Sequence, residues 1–216
     1  MIILGIDPGT AMLGYGVIER TGTRLRAIDY GVIKTPARLS LPERLEAIYL
    51  SLTDLIDLHA PALVGVERLF FTKNVQTAFA VGQARGVILL AAQLRCLDIR
   101  EATPNEVKVA TAGHGSASKE QVGRMVQAIL GMAEIPTPDD AADALAIAIC
   151  VAARERSVSR IPVGTLDRSA LQPAPTGVTP YEQAVRDALR REHAISNATD
   201  FEDERIGKDC ADQTLE

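Results

Sequence analysis

The stretch Ile2-Ile3-Leu4-Gly5-Ile6-Asp7-Pro8-Gly9-Thr10 decides how the rest of the chain reads. Ile2 to Asp7 is a short buried strand, and Pro8-Gly9 turns the chain at its end. The opening carries no basic segment and no small-residue cleavage site, so it reads as a first strand rather than a signal peptide. Strands over Leu13 to Glu19 and Leu25 to Ile33 follow, separated by the turn-like Thr21-Gly22-Thr23, which makes the opening a three-strand meander. From Pro42 to His59, Leu45, Ile48, Tyr49, Leu52, Leu55 and Ile56 recur at helical spacing. Pro61 ends that helix, and Ala62 to Glu67 is a compact apolar strand.

Further along, the pattern predicts a long helix over Asn74 to Leu94, a fifth strand over Leu97 to Ala102 and a short helix over Pro104 to Ala110. Gly113-His114-Gly115-Ser116 is expected to be a mobile loop. Two helices follow, Ser118 to Leu130, opened by a capping-box pattern from Ser118 to Gln121, and Pro138 to Arg156. A meander followed by alternating strands and helices implies an α/β fold with one five-stranded mixed sheet flanked by helices. After Arg156 the pattern breaks, so residues 1–156 are read as the folded domain and 157–216 as a C-terminal extension. That extension holds a Pro/Thr/Ala segment, one possible amphipathic helix from Tyr181 to His193 and an acidic end expected to be disordered.

Composition excludes more than it suggests. No apolar run approaches the roughly 18–20 residues a membrane span needs, so no membrane association is expected. Cys96, Cys150 and Cys210 are odd in number and widely spaced, and His59, His114 and His193 show no metal-site pairing. Disulfide and zinc chemistry are therefore disfavoured, and a reducing cytoplasm is the expected location. Residues 1–160 hold 17 basic and 17 acidic side chains, whereas residues 161–216 hold 6 and 11, so the whole net charge of −5 sits in the extension. A neutral domain gives no compositional support to nucleic-acid binding, and any such reading rests on motifs.

Four acids stand out by position. Asp7 and Glu67 end strands, where α/β proteins gather ligands. Asp140 and Asp143 open the last long helix at i and i+3, on one face, and the apolar run that follows should press that helix onto the sheet. Each has an ordinary reading: a turn or cap residue for Asp7, a surface charge or Arg68 partner for Glu67, a helix-dipole acid for the other two. Clustered, they would repel one another unless a cation sat among them, and oxygen ligands without His or Cys suit Mg²⁺ or Mn²⁺.

The blocks Gly5-Ile6-Asp7-Pro8-Gly9-Thr10, Tyr15-Gly16, Glu67 with Phe70, Lys73 and Asn74, Gly82-Gln83-Ala84-Arg85-Gly86, and Asp140-Ala141-Ala142-Asp143-Ala144-Leu145-Ala146 resemble the RuvC crossover-junction endonucleases, in order, from Ile2 to about Arg154. The resemblance implies a ribonuclease H-like fold, a homodimer, Mg²⁺ dependence, symmetrical nicking of Holliday junctions in DNA recombination and repair, and RuvA and RuvB as companions. It carries the four metal-binding acids onto Asp7, Glu67, Asp140 and Asp143. Two Mg²⁺ per site would support in-line displacement, with Mn²⁺ a substitute and Asp7 the bridging ligand. Lys119 matches an active-site lysine, against the plainer reading of a solvated helix-start residue. Phe70 would stack on an unpaired base, while Phe71 is expected in the core. Lys73, Arg85 and Lys108 are candidate phosphate contacts. The resemblance carries no match onto Arg68 or His114 and says nothing about the extension.

Two rivals remain in view. Gly-Ile-Asp-Pro-Gly-Thr also resembles the first phosphate hairpin of actin-like ATPases, but the second phosphate loop and adenosine-binding glycines are not evident. A junction-binding protein without activity is the other, and the presence of all four acids speaks against it.

Overall fold

The computed structural model describes residues 1–68 and 75–155, with side chains of the second helix described from Ala78 onward. Five strands, β1 (Ile2–Asp7), β2 (Met12–Thr21), β3 (Arg24–Lys34), β4 (Leu63–Glu67) and β5 (Asp98–Ala102), form one sheet in the order β3-β2-β1-β4-β5. The first three pair antiparallel, and β1, β4 and β5 run parallel. The helices are α1 (Leu41–His59), α2 (Val75–Leu94), α3 (Pro104–Ala112), α4 (Lys119–Leu130) and α5 (Asp139–Glu155). This is the α/β, five-stranded mixed sheet that the residue pattern predicts. The first hairpin runs longer than expected because Met12, Arg20 and Thr21 stay in register with β3, across a bulge between Val17 and Ile18.

The strand period of two divides the sheet into two cores. Leu4, Ile6, Val64 and Val66 face α1 and α2, where they meet Ile48, Leu52, Ile56 and Ile88. Ile3, Ile18 and Leu63 face α3, α4 and α5, and there Leu145, Ile147 and Val151 cover them. On that second face α5 lies almost against the strand backbones. A Cβ added to Gly5 would stand 2.1 Å from the Ala144 carbonyl oxygen, and one added to Gly14 only 2.0 Å from that of Asp140. Gly16 and Gly65, which pair with Gly5 from either side, continue this row under Leu145 and Val151. Glycine inside a strand marks such close backbone approach, and the buried Ala141, Ala144 and Ala148 let the helix come equally close from above.

Capping sets where the helices begin. Ser118 accepts from the Gln121 amide at 3.2 Å while Gln121 Oε1 accepts from the Ser118 amide at 2.8 Å, so the predicted box at α4 is formed. Thr103 and Glu106 build a second box at α3. Between these helices, residues 113–117 form a compact turn. Gly113 sits at φ 84 as the α3 C-cap, His114 Nδ1 lies 3.1 Å from Ser116 Oγ, and the Ala117 amide donates to the His114 carbonyl.

Among the described residues no helix is long and apolar enough to cross a membrane. Phe70, Phe71, Lys73, Asn74 and everything from Arg156 onward lie outside the described residues.

Candidate active site

Two strands deliver their acids by the same local pattern. In β1 the residues facing α5 are Ile3, Gly5 and Asp7, and in β4 they are Leu63, Gly65 and Glu67. The register pairs Ile3 with Leu63 and Gly5 with Gly65. Two residues further on, Asp7 and Glu67 therefore finish neighbouring parallel strands at one edge and on one face. The helix supplies the other pair. Because α5 rests on Gly14, which pairs with Asp7 across the hairpin, its first turn sits at the C-terminal end of β1. Asp140 and Asp143, both half-buried, are thereby set above the end of the central strand, not beside an outer strand of the sheet.

Electrostatics register this crowding. Burial, then the charges of Glu67, Asp143 and Asp140, push the Asp7 carboxyl up to about 8, and it shares a hydrogen bond with Glu67. Glu67 is also raised, first by burial and then by Asp143, against the opposing effects of the Asp7 hydrogen bond and the Lys119 charge. Lys119, at the start of α4, places its ammonium 2.9 Å from Asp143 Oδ2, and this contact raises the lysine above its ordinary value. The side chain is otherwise exposed. A cleft of about 320 Å³, lined by Lys119, Gly123, Ile135, Pro136, Asp139 and Asp143, opens on the α4 side of the acids.

As these side chains stand, no three His, Cys, Asp or Glu among the described residues are arranged to hold one ion. Asp7 and Glu67 share a hydrogen bond, and the Lys119 ammonium engages Asp143. The chemistry of the set nevertheless fits a hard divalent cation. All four donors are carboxylates, and burial together with the neighbouring acids holds the Asp7 carboxyl up to about 8, a cost that a bound cation would offset.

The other expected contacts fall out unevenly. Lys108 is half-buried on α3, the helix that follows β5. Arg85, on α2, is ion-paired with Glu101, and its Nε donates to the Glu67 carbonyl at 3.4 Å. Arg68 turns to Glu101 at 3.2 Å, not to Glu67. His114 lies on the turn between α3 and α4. Sequence reading missed Gly14 and Gly65, which set the height of α5, and Glu101, which collects the two arginines. The glycines had a signal, a residue of poor strand propensity inside two strands. Glu101 had none.

The comparisons agree with this geometry. Residues 3–151 match the family model "Crossover junction endodeoxyribonuclease RuvC". A relative from Heliobacterium modesticaldum, the crossover junction endodeoxyribonuclease RuvC of that organism, is 55% identical over 152 residues, 70% of this chain and 94% of its own. The solved Thermus thermophilus RuvC superimposes with a TM-score of 0.67 at 39% identity, covering 73% of this chain and 96% of that one. The same enzyme solved in complex with a Holliday junction substrate gives 0.67 at 35% identity over the same shares. The fold is ribonuclease H-like, as the resemblance implied. With the family match spanning every strand and the four acids, the chain belongs to the RuvC family of crossover junction endodeoxyribonucleases.

Proposed function

We propose that this protein resolves Holliday junctions in DNA recombination and repair by symmetrical, metal-dependent hydrolysis of two phosphodiester bonds. The observation that carries the reading is the cluster of Asp7, Glu67, Asp140 and Asp143 at the end of the central strand, with Asp7 held up to about 8 by burial and its acidic neighbours.

These four carboxylates would hold two Mg²⁺, with Mn²⁺ as a substitute. When bound, the ions supply Lewis acidity to the scissile phosphate and lower the pKa of an attacking water. The chain's own residues do the rest. Asp7 gives up its proton when the site is loaded. Lys119, tethered beside Asp143, offsets charge that gathers on the phosphate. The buried sheet end beneath the acids keeps the local dielectric low, so each of these charges acts strongly. Phe70, Lys73 and Lys108 are proposed DNA contacts, with Phe70 stacking on an unpaired base.

Two equivalent strands to cut call for a two-fold dimer. The outer face of α2 supports one: Phe79 is 68% exposed and Leu90 54%, and Gly86 between them has open space beside it. A second α2 packed on this stripe would cover it. RuvA and RuvB are the proposed companions, the cytoplasm the proposed location, and residues 157–216 a segment outside the nuclease domain of 1–156.

The test is nicking of a synthetic four-way junction beside linear duplex of the same sequence, with and without Mg²⁺. Paired nicks in the junction alone, dependent on the metal, are expected. Equal cutting of the duplex would make the protein a general nuclease, and no cutting with Mg²⁺ or with Mn²⁺ in its place would sink the reading.

A further inference from the structure

Arg85 sits in a Gly-Gln-Ala-Arg-Gly run on α2 and looks, by sequence, like a cation free for phosphate. Its surroundings say otherwise. The guanidinium is ion-paired with Glu101 Oε1, and its Nε also donates to the backbone carbonyl of Glu67 at 3.4 Å. Glu101 Oε2 takes Arg68, the residue that follows Glu67, at 3.2 Å. The Glu101 main chain is held as well, because Arg154 near the end of α5 donates to its carbonyl at 3.1 Å. Arg68 in turn donates its amide to Ala102 at 2.8 Å, beside the Glu67–Ala102 rung of the β4–β5 ladder.

One carboxylate thus gathers two arginines that flank Glu67, one through the chain and one across space. The backbone of Glu67 is gripped on its carbonyl and on the following amide. Side-chain exposures of 21% for Arg85 and 32% for Glu101 mean the pair is partly shielded from water. A single ion pair that is still partly open to water contributes modestly to stability, so its value lies in what it orients. A metal-binding carboxylate whose support is loosened typically loses 10–100-fold in affinity or activity.

We propose that Arg85 and Glu101 are a positioning pair that fixes Glu67 for metal binding, and that Arg85 is not a phosphate contact. The proposal rests on the nuclease reading above. It places Arg85 on the helix offered as the dimer interface, so the Arg85–Glu101 ion pair ties that helix to the strand beside Glu67.

The experiment compares full-length wild type with Glu101→Gln, Arg85→Ala, Arg85→Lys and the Arg85→Ala/Glu101→Gln double variant. Three quantities are read: the single-turnover cleavage rate at saturating enzyme, junction affinity across a salt series, and Mn²⁺ affinity by calorimetry without DNA. Thermal unfolding checks that each variant is folded. Positioning predicts that Glu101→Gln and Arg85→Ala each slow cleavage about tenfold and weaken Mn²⁺ binding by a similar factor, with junction affinity and its salt slope unchanged. The double variant should be no slower than either single one, and Arg85→Lys, which cannot serve both acceptors at once, should also be slow. A phosphate contact predicts the reverse: Arg85→Ala weakens junction binding and lowers the salt slope by about one, while Glu101→Gln cuts at the wild-type rate. That pattern overturns the proposal, as do variants that only melt earlier while binding Mn²⁺ and cutting normally. If the wild type itself fails to cut, the nuclease reading falls, and the Mn²⁺ measurements still decide whether the pair positions Glu67.

Discussion

On one face of the sheet α5 lies on glycine, with helix alanines and strand backbone separated by less than a side chain. On the other, α1 and α2 stand off on Leu4, Ile6, Ile48, Leu52 and Ile88, large side chains that fill a thick apolar layer. The thick layer can take up small changes by shifting rotamers. The thin seam cannot, because its contacts at Gly5 and Gly14 are with the helix backbone. The acids sit on the thin side. Tolerance on one face and rigidity on the other is a sensible division for a protein that must hold four carboxylates together against their repulsion.

The largest expected effect comes from the acids themselves. Asp7→Asn, Glu67→Gln, Asp140→Asn and Asp143→Asn should each lower cleavage by at least about 10²-fold, the scale on which loss of one electrostatic stabiliser acts, while junction binding survives because affinity comes mainly from phosphate neutralisation. A variant that cuts near the wild-type rate in Mg²⁺ would remove that residue from the site.

Next comes the contrast between the two faces. Gly5→Ala should cost about 3 kcal/mol or more in urea unfolding, since its Cβ would run into the backbone of Ala144 and Ala148 and the Ala148 methyl, none of which can rotate away. Ile88→Val, fully buried on the thick side, should cost about 1 kcal/mol. Similar costs for the two would dissolve the distinction. Lys119→Ala should fall below both in stability effect, because the side chain is largely exposed, and should slow cleavage by about tenfold or more. An unchanged rate would return Lys119 to an ordinary helix-start lysine.

The seam also titrates. Asp7 is raised in the folded protein to about 8, so the metal-free fold is favoured at low pH and that contribution is lost as pH climbs from the ordinary carboxylate range through about 8. Melting temperature without divalent ion should therefore fall across this window, and added Mg²⁺ should remove most of the fall. A flat profile would mean that Asp7 is less buried, or the four acids further apart, in solution.

The smallest effect is expected from the C-terminal segment. Truncation after Arg160 removes the whole net charge of −5 and should leave a folded, dimeric, active nuclease. Junction affinity should be unchanged or tighter, and any tightening should fade as salt rises above about 0.1 M. Loss of dimer or of cleavage would make the segment structural.

Much of this protein was decided by neighbours along the chain. The strand that Ile2 to Asp7 makes, the capping box at Ser118 and the i, i+3 placement of Asp140 and Asp143 follow from side-chain period and local hydrogen bonding, which act within a few residues. So does the choice of acids, since only their positions at strand and helix ends were needed to single them out. What the chain order could not convey is who meets whom across the sheet. Asp29 accepts Tyr15 and lies 3.0 Å from His59 Nε2, joining two strands to a helix end, and nothing in the spacing of those residues announces it. Arg85 reads as a free cation until Glu101, from another strand, is seen to take it. The raised Asp7 carboxyl likewise depends on burial and on three acids brought from β4 and α5. Charge partners and protonation states are set by distance in space and by burial, and both exist only once the sheet and its helices have closed.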